Sequence, residues 1–171
     1  VTQDLVLRDV APDDLPVFFD FQQDRSANHM AAFTAKDPSD RAAFDAHWGR
    51  ILADPMVIMK TVVAVGRVVG SVGKFDMFEK PQVTYWVDRG FWGQGIATAA
   101  LAQFLTLYQV RPVYASAAAD NLGSLRVLEK CGFARVGIEL GFANARGQEI
   151  DEVTLVLDRA EAGEDPRNAQ H

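Results

Sequence analysis

The sequence predicts an α/β domain of mixed type, in which a central mixed sheet carries helices on its faces. Three observations point there. β-branched runs alternate with helical apolar stripes in the order β-α-α-β-β-β-α-β-α-β-β. A glycine-rich turn, Arg89 to Gly95, joins a strand directly to a long helix. The chain has 171 residues, 49% hydrophobic and 23% charged, enough for one full core without a disulfide or metal staple.

The elements follow in order. Alternation from Leu5 to Val10 reads as an opening strand. Pro12-Asp13-Asp14 starts a helix, since proline suits a first turn and acids suit its positive end; Leu15, Phe18, Phe19 and Gln22 share a face. Asp24 to Lys36 reads as a polar loop. Ser39 or Asp40 caps a second helix with the stripe Phe44, His47, Trp48, Ile51, Leu52, ended by Asp54-Pro55. Met56–Val65 and Val68–Phe78 form a hairpin around Gly66-Arg67, and Gln82–Asp88 is a further strand. The long helix, Gly95 to Gln109, buries Ile96, Ala99, Ala100, Gln103, Phe104 and Leu107. Pro112–Ala117 is a short strand. Asn121–Cys131 is a helix closed by Gly132. Phe133–Phe142 and Glu149–Leu157 make a last hairpin through 144–147. One domain, 1–158, is expected, with a polar tail, 159–171, lacking fixed structure.

Composition excludes several classes. The net charge is −6 with no Lys/Arg block, which argues against a nucleic-acid partner and is compatible with a cationic amine. The single Cys131 forms no internal disulfide, and no CxxC pair or close histidine set suggests a metal. No apolar run reaches membrane-spanning length, so no membrane partner and a cytoplasmic location are expected.

The glycine turn carries the chemistry. Glycine lets a ligand approach the backbone closely, and the free N–H groups and dipole of the helix start suit a diphosphate. Gly90 and Gly95 have P-loop spacing, but Ile96-Ala97 stands where Lys-Ser/Thr is needed. Gly93-Gln94-Gly95-Ile96-Ala97-Thr98 lacks the third glycine of a dinucleotide fingerprint.

The stretch Tyr85-Trp86-Val87-Asp88-Arg89-Gly90-Phe91-Trp92-Gly93-Gln94-Gly95-Ile96-Ala97-Thr98 instead resembles the acetyl-CoA turn of the GNAT acetyltransferase superfamily, with Trp92 where Gln or Arg is usual. Asp120-Asn121-Leu122-Gly123-Ser124 through Leu128-Glu129-Lys130-Cys131-Gly132-Phe133 resembles a second motif of the branch containing ribosomal-protein N-terminal acetyltransferases. The resemblance covers about residues 2 to 158 by element order. It implies the acyl-CoA N-acyltransferase fold: a splayed, mostly antiparallel sheet of six to seven strands flanked by four helices. It also implies acetyl-CoA as cofactor, a primary amine of a small molecule or protein N-terminus as acceptor, and a homodimer as one assembly to expect.

Residue by residue, the resemblance implies that the backbone of Trp86, Val87 and Asp88 pairs with the pantetheine arm. Trp92 and the amides of Gly93, Gln94, Gly95, Ile96, Ala97 and Thr98 would surround the pyrophosphate, and Asn121 would meet the arm. Leu128 holds the position where many relatives carry a tyrosine acid, so Ser124 is the expected hydrogen-bond donor to the thiolate. Gln82 holds the position of the usual base, leaving Glu79, or Asp76, to act through water. The acceptor pocket would be drawn from Gln23–Lys36 and Leu140–Gln148, with His29, Met30, Phe33 and Tyr85 as candidates.

Plainer roles stand beside these. Asn121 also suits a helix N-cap, and Ser124 a locally satisfied first turn. His47 reads as a core or subunit contact, His29 as an exposed loop residue, and Cys131 as packing. Phe91 and Trp92 fit the core or the cofactor's flank; Phe18, Phe44 and Trp48 fit the core; Glu129-Lys130 fits a solvated surface pair. Two rival functions remain at this point: a non-catalytic acyl-CoA-binding sensor and a nucleotide-binding oxidoreductase.

Overall fold

The computed structural model describes residues 2–158; the expected tail lies outside the described residues. The order is β1 (Val6–Asp9), α1 (Asp14–Phe21), α2 (Arg25–Ala31), α3 (Arg41–Ala53), β2 (Ile58–Ala64), β3 (Arg67–Met77), β4 (Lys80–Val87), α4 (Ile96–Leu107), β5 (Val113–Ala118), α5 (Leu122–Lys130), β6 (Ala134–Ala143) and β7 (Gln148–Leu157). A 3-10 turn, Arg89–Phe91, follows β4. The strands form one seven-stranded sheet, ordered β1-β2-β3-β4-β5-β7-β6. Only the β4/β5 neighbours run parallel.

One expected loop is a helix. α2 lies inside the stretch read as polar and irregular. Its sequence, RSANHMA, has no apolar period, but Asp24 caps it by accepting from the Ala27 N–H at 2.9 Å. The Asn28 side chain ties its first turn back to the Gln22 and Asp24 carbonyls.

The two faces of the sheet are covered differently. On one, Val62, Val72, Val83, Val113, Ala115, Val153 and Leu155 pack against Ile96, Leu101 and Phe104 of α4 and Leu125 and Leu128 of α5. On the other, Phe18 of α1 and Phe44 and Trp48 of α3 pack over Met59 and Val68, while Ala32 and Phe33 pack near Ala118, Ala143 and Ile150. Stripe edges differ from expectation. Leu101 and Leu105 are buried on α4, whereas Gln103 and Leu107 are exposed, and on α3 His47 and Leu52 face solvent rather than the core.

The β3–β4 connection was not foreseen. It is a two-residue hairpin in which Phe78 and Glu79 adopt φ of 52° and 62°, the mirror-image turn that matches strand twist. That turn starts β4 at Lys80 and puts Glu79 at an exposed tip.

Candidate active site

β4 and β5 share a single register pair, Gln82↔Tyr114, and separate beyond it. Ladder alternation fixes what lines the gap. The Asp88 N–H donates to the Val69 carbonyl at 2.8 Å, so Trp86 and Asp88 turn their main chain toward β3. Tyr85 and Val87, one residue out of phase, turn theirs toward the gap. On the far side, Ala119 N–H donates to Asp151 at 2.9 Å. Ser116 and Ala118 are therefore turned from β7 toward the gap. Two of these groups are occupied. The Val87 carbonyl accepts from the Trp92 indole at 2.9 Å, and the Ala118 carbonyl from the Asn121 N–H at 2.9 Å. The Tyr85 N–H and C=O, the Val87 N–H, the Ser116 N–H and C=O and the Ala118 N–H have no strand partner across the gap. Of the three residues expected to pair with an extended arm, Val87 is positioned to do so; Trp86 and Asp88 give their backbone to β3, and Tyr85 takes their place.

The gap opens at the carboxyl ends of both strands, where ligands enter parallel sheets. The glycine turn stands at its mouth. Gly93 and Gly95 adopt φ of 77° and 76°, which L side chains rarely tolerate. Gly95 is the N-cap of α4 and supplies no side-chain cap to the first-turn N–H groups of Ile96, Ala97 and Thr98. Trp92 to Gly95 are exposed, and the space above Gly93 is open. Trp92 flanks the turn, 45% exposed, pinned by its indole bond.

Below the mouth, Asn121 caps α5, its Oδ1 accepting from the Ser124 N–H at 3.2 Å. The Tyr85 hydroxyl lies 2.5 Å from Ser124 Oγ and 3.2 Å from the Ser124 carbonyl. Burial pushes the Tyr85 phenol up to about 12, against the lowering effect of the Ser124 hydrogen bond. Tyr85, a candidate for the acceptor pocket, thus points to the α4/α5 face and the serine. Leu128 is buried in the core, one turn past Ser124.

The opposite face carries the two segments expected to form the acceptor pocket. The two segments named for it are joined: Asn144 Nδ2 donates to the Thr34 carbonyl at 2.7 Å, Ala145 N–H to Ala32 at 3.1 Å, and Arg146 Nε to His29 at 2.6 Å. Arg146 also forks onto Asp120 at 2.8 and 3.0 Å, which holds that carboxylate below its usual range. Arg89 ties Asp24, the α2 cap, at 2.7 Å. His29 and Met30 are exposed, and Phe33 is half-buried with its ring against Gly141.

Sequence reasoning missed Glu152. It stands opposite Ala118 on β7, directly across from Glu139 on β6, with Oε2 beside Gly141 near the Phe33 ring. Burial pushes its carboxyl up, as does Glu139, while a Ser116 hydrogen bond opposes the shift. Nothing local marks it; only the β5/β7 register brings it next to the gap.

The structure separates Glu79 from all of this. The strand rise of about 3.3 Å per residue leaves it roughly 20 Å from Tyr85. Asp76 is at the same end, paired with Lys74 at 3.2 Å. Both are therefore corrected as bases. Cys131 Sγ donates to the Thr98 carbonyl at 3.6 Å, and burial raises its thiol, the state of a packing cysteine. Glu129 and Lys130 are both exposed, as expected of a solvated surface pair, and Glu129 also pairs with Arg135 at 2.7 Å.

A family profile described as acetyltransferase (GNAT) domain matches residues 4–134. No curated protein matches the chain. Among solved structures it is similar to spermidine N-acetyltransferase from Vibrio cholerae in complex with CoA and spermine, at 16% identity and TM-score 0.77, over 91% of this chain and 95% of that one. It is similar to RimL, a ribosomal L7/L12 alpha-N-protein acetyltransferase in complex with coenzyme A, at 18% identity and TM-score 0.78, over 92% and 95%. It is also similar to Mycobacterium smegmatis RimJ in complex with CoA-disulfide, at 22% identity and TM-score 0.75, over 95% and 84%. These likenesses show the fold.

Proposed function

Because this chain belongs to the acetyltransferase (GNAT) family, we propose that it moves the acetyl group of acetyl-CoA directly onto a primary amine of a small molecule or a protein N-terminus. The observation that carries this reading is the gap itself: main-chain donors and acceptors line both sides of a splayed parallel pair and lead to an uncapped helix N-terminus. An arm containing two amides fits the first, and a pyrophosphate the second.

The cofactor supplies an activated thioester. The main chain of Tyr85, Val87, Ser116 and Ala118 holds its arm, and the amides of Gly93 to Thr98 hold its phosphates. The sheet then divides the remaining work. The acceptor enters on the face of Phe33 and Glu152, and Glu152 takes the amine's proton through water. Ser124, on the α4/α5 face, donates a hydrogen bond to the departing sulfur. With Asp120 matched by Arg146, Glu139 and Glu152 give the acceptor side a negative field, which favours a cationic amine such as a polyamine or a basic amino terminus.

Thiol release from acetyl-CoA, followed across a panel of primary amines, tests the reading; acetyl-CoA left unconsumed with every amine would defeat it. Glu152→Gln should lower kcat/KM roughly tenfold near neutral pH, below the usual contribution of a directly bonded base. A base must be ionised, so the wild-type rate should fall as pH drops through a carboxyl titration above the ordinary glutamate range. Glu152→Gln should lack that limb with the same amine. Identical pH profiles for the two proteins would remove Glu152 from the mechanism.

A further inference from the structure

The missing tyrosine on α5 leaves a question about the serine that stands near its place. A serine hydroxyl is a free rotor and can waste its proton on any nearby acceptor. Here the Tyr85 phenol has one proton and two acceptors on Ser124, the carbonyl at 3.2 Å and Oγ at 2.5 Å, and the shorter contact takes it. The second hydroxyl comes from β4, 39 residues away in sequence.

We propose that Tyr85 is a positioning residue for the transfer. Its phenol donates to Ser124 Oγ, occupies the inner side of that oxygen, and leaves the serine proton aimed into the β4/β5 gap where the sulfur departs. This rests on the acetyltransferase reading of the gap. The direction of the bond follows from chemistry: a phenol is the more acidic hydroxyl and the poorer acceptor, so it donates and the alkyl hydroxyl accepts. The Asn121 cap takes the Ser124 N–H and fixes the backbone that carries the rotor.

Magnitudes exclude the bolder role. A departing thiolate, whose thiol titrates near 8.5, cannot readily draw a proton from a phenol pushed up to about 12. Tyr85 therefore keeps its proton. As the amine nitrogen bonds the acetyl carbon, the carbon–sulfur bond breaks and its electron pair passes to sulfur. Ser124 meets that charge with a hydrogen bond and also keeps its proton. The proton that the amine sheds through water to Glu152 returns to solvent and balances the one that sulfur takes from water.

The test is a double-mutant cycle on the full chain with Tyr85→Phe, Ser124→Ala and the pair, using acetyl-CoA and the best amine of the panel. Tyr85→Phe should lower kcat about fivefold, with KM for acetyl-CoA and calorimetric affinity for coenzyme A within about twofold of wild type. Ser124→Ala should lower kcat by at least as much. The double variant should match Ser124→Ala, because Tyr85 acts only through the serine. Wild-type kcat in Tyr85→Phe, or losses that multiply in the double variant, would overturn the proposal. So would a loss in Tyr85→Phe that falls on coenzyme A affinity, which would make the phenol a packing group. A wild-type protein that binds coenzyme A but acetylates nothing would defeat the functional reading instead, and the proposal with it.

Discussion

Replacing Gly95 with valine is expected to leave the fold standing and to weaken coenzyme A binding about 100-fold. A Cβ at this position meets nothing closer than Thr2 Cγ2 at 3.9 Å, so packing does not oppose the substitution. The backbone does. Gly95 has φ of 76°, and a β-branched residue there costs about 1–3 kcal/mol. Relief comes by rotating the N-cap, which turns the Ile96, Ala97 and Thr98 amides from their common focus. Losing two charge-assisted bonds to phosphate, at roughly 1.5 kcal/mol or more each, gives the affinity loss. The melting temperature should drop by about 2–12 °C, in line with that strain in a domain of this size. Calorimetry with coenzyme A checks it: affinity within threefold of wild type would mean the turn does not hold the phosphates.

Asp14→Ala should be the most damaging single change outside the site, at about 3–4 kcal/mol of stability. Asp14 is 3% exposed and accepts four hydrogen bonds. Arg8 gives two at 2.7 and 2.8 Å, the Ala11 N–H one at 2.8 Å, and the Thr61 hydroxyl one at 2.7 Å. Removing the carboxylate strands the fully buried Thr61 hydroxyl and the Ala11 N–H, and unpins α1 from the sheet. The Arg8 hydrogen bond is the first cause of an Asp14 carboxyl lowered from 3.8 to about 2. A carboxyl depressed on folding stabilises above its unfolded value and loses that contribution as pH falls through its folded value. Roughly 2–3 kcal/mol should therefore be present at neutral pH and disappear between about pH 4 and pH 2. Urea denaturation of wild type and Asp14→Asn across that range checks the sign; equal acid sensitivity in both would contradict it.

The sequence carried those parts of the molecule whose signals are local. The glycine turn was legible because positive φ at a helix start demands glycine at Gly93 and Gly95. The α5 cap was legible because Asn121 precedes an amphipathic run. α2 was not, since Ser26, Asn28 and His29 are indifferent helix formers and its stability comes from Asn28 reaching back to Gln22 and from the Arg89–Asp24 pair. The β3–β4 turn was hidden for the opposite reason: Phe78-Glu79 lacks the glycine or asparagine that normally announces such a bend, so Glu79 read as a residue near the site. Tyr85–Ser124 and Glu152 near the gap depend on register between distant strands and helices. No spacing within one element encodes them.

Amide hydrogen exchange at the β4/β5 gap, with and without saturating coenzyme A, probes the cleft on which the functional reading stands. The Tyr85, Val87, Ser116 and Ala118 amides should exchange readily in the free protein and slow by at least tenfold when the arm occupies the gap, while Trp86, already paired with β3, should change little. Protection of Trp86 with no change at Tyr85 or Val87, or bound coenzyme A that leaves all five amides as they were, would place the ligand elsewhere and contradict the reading.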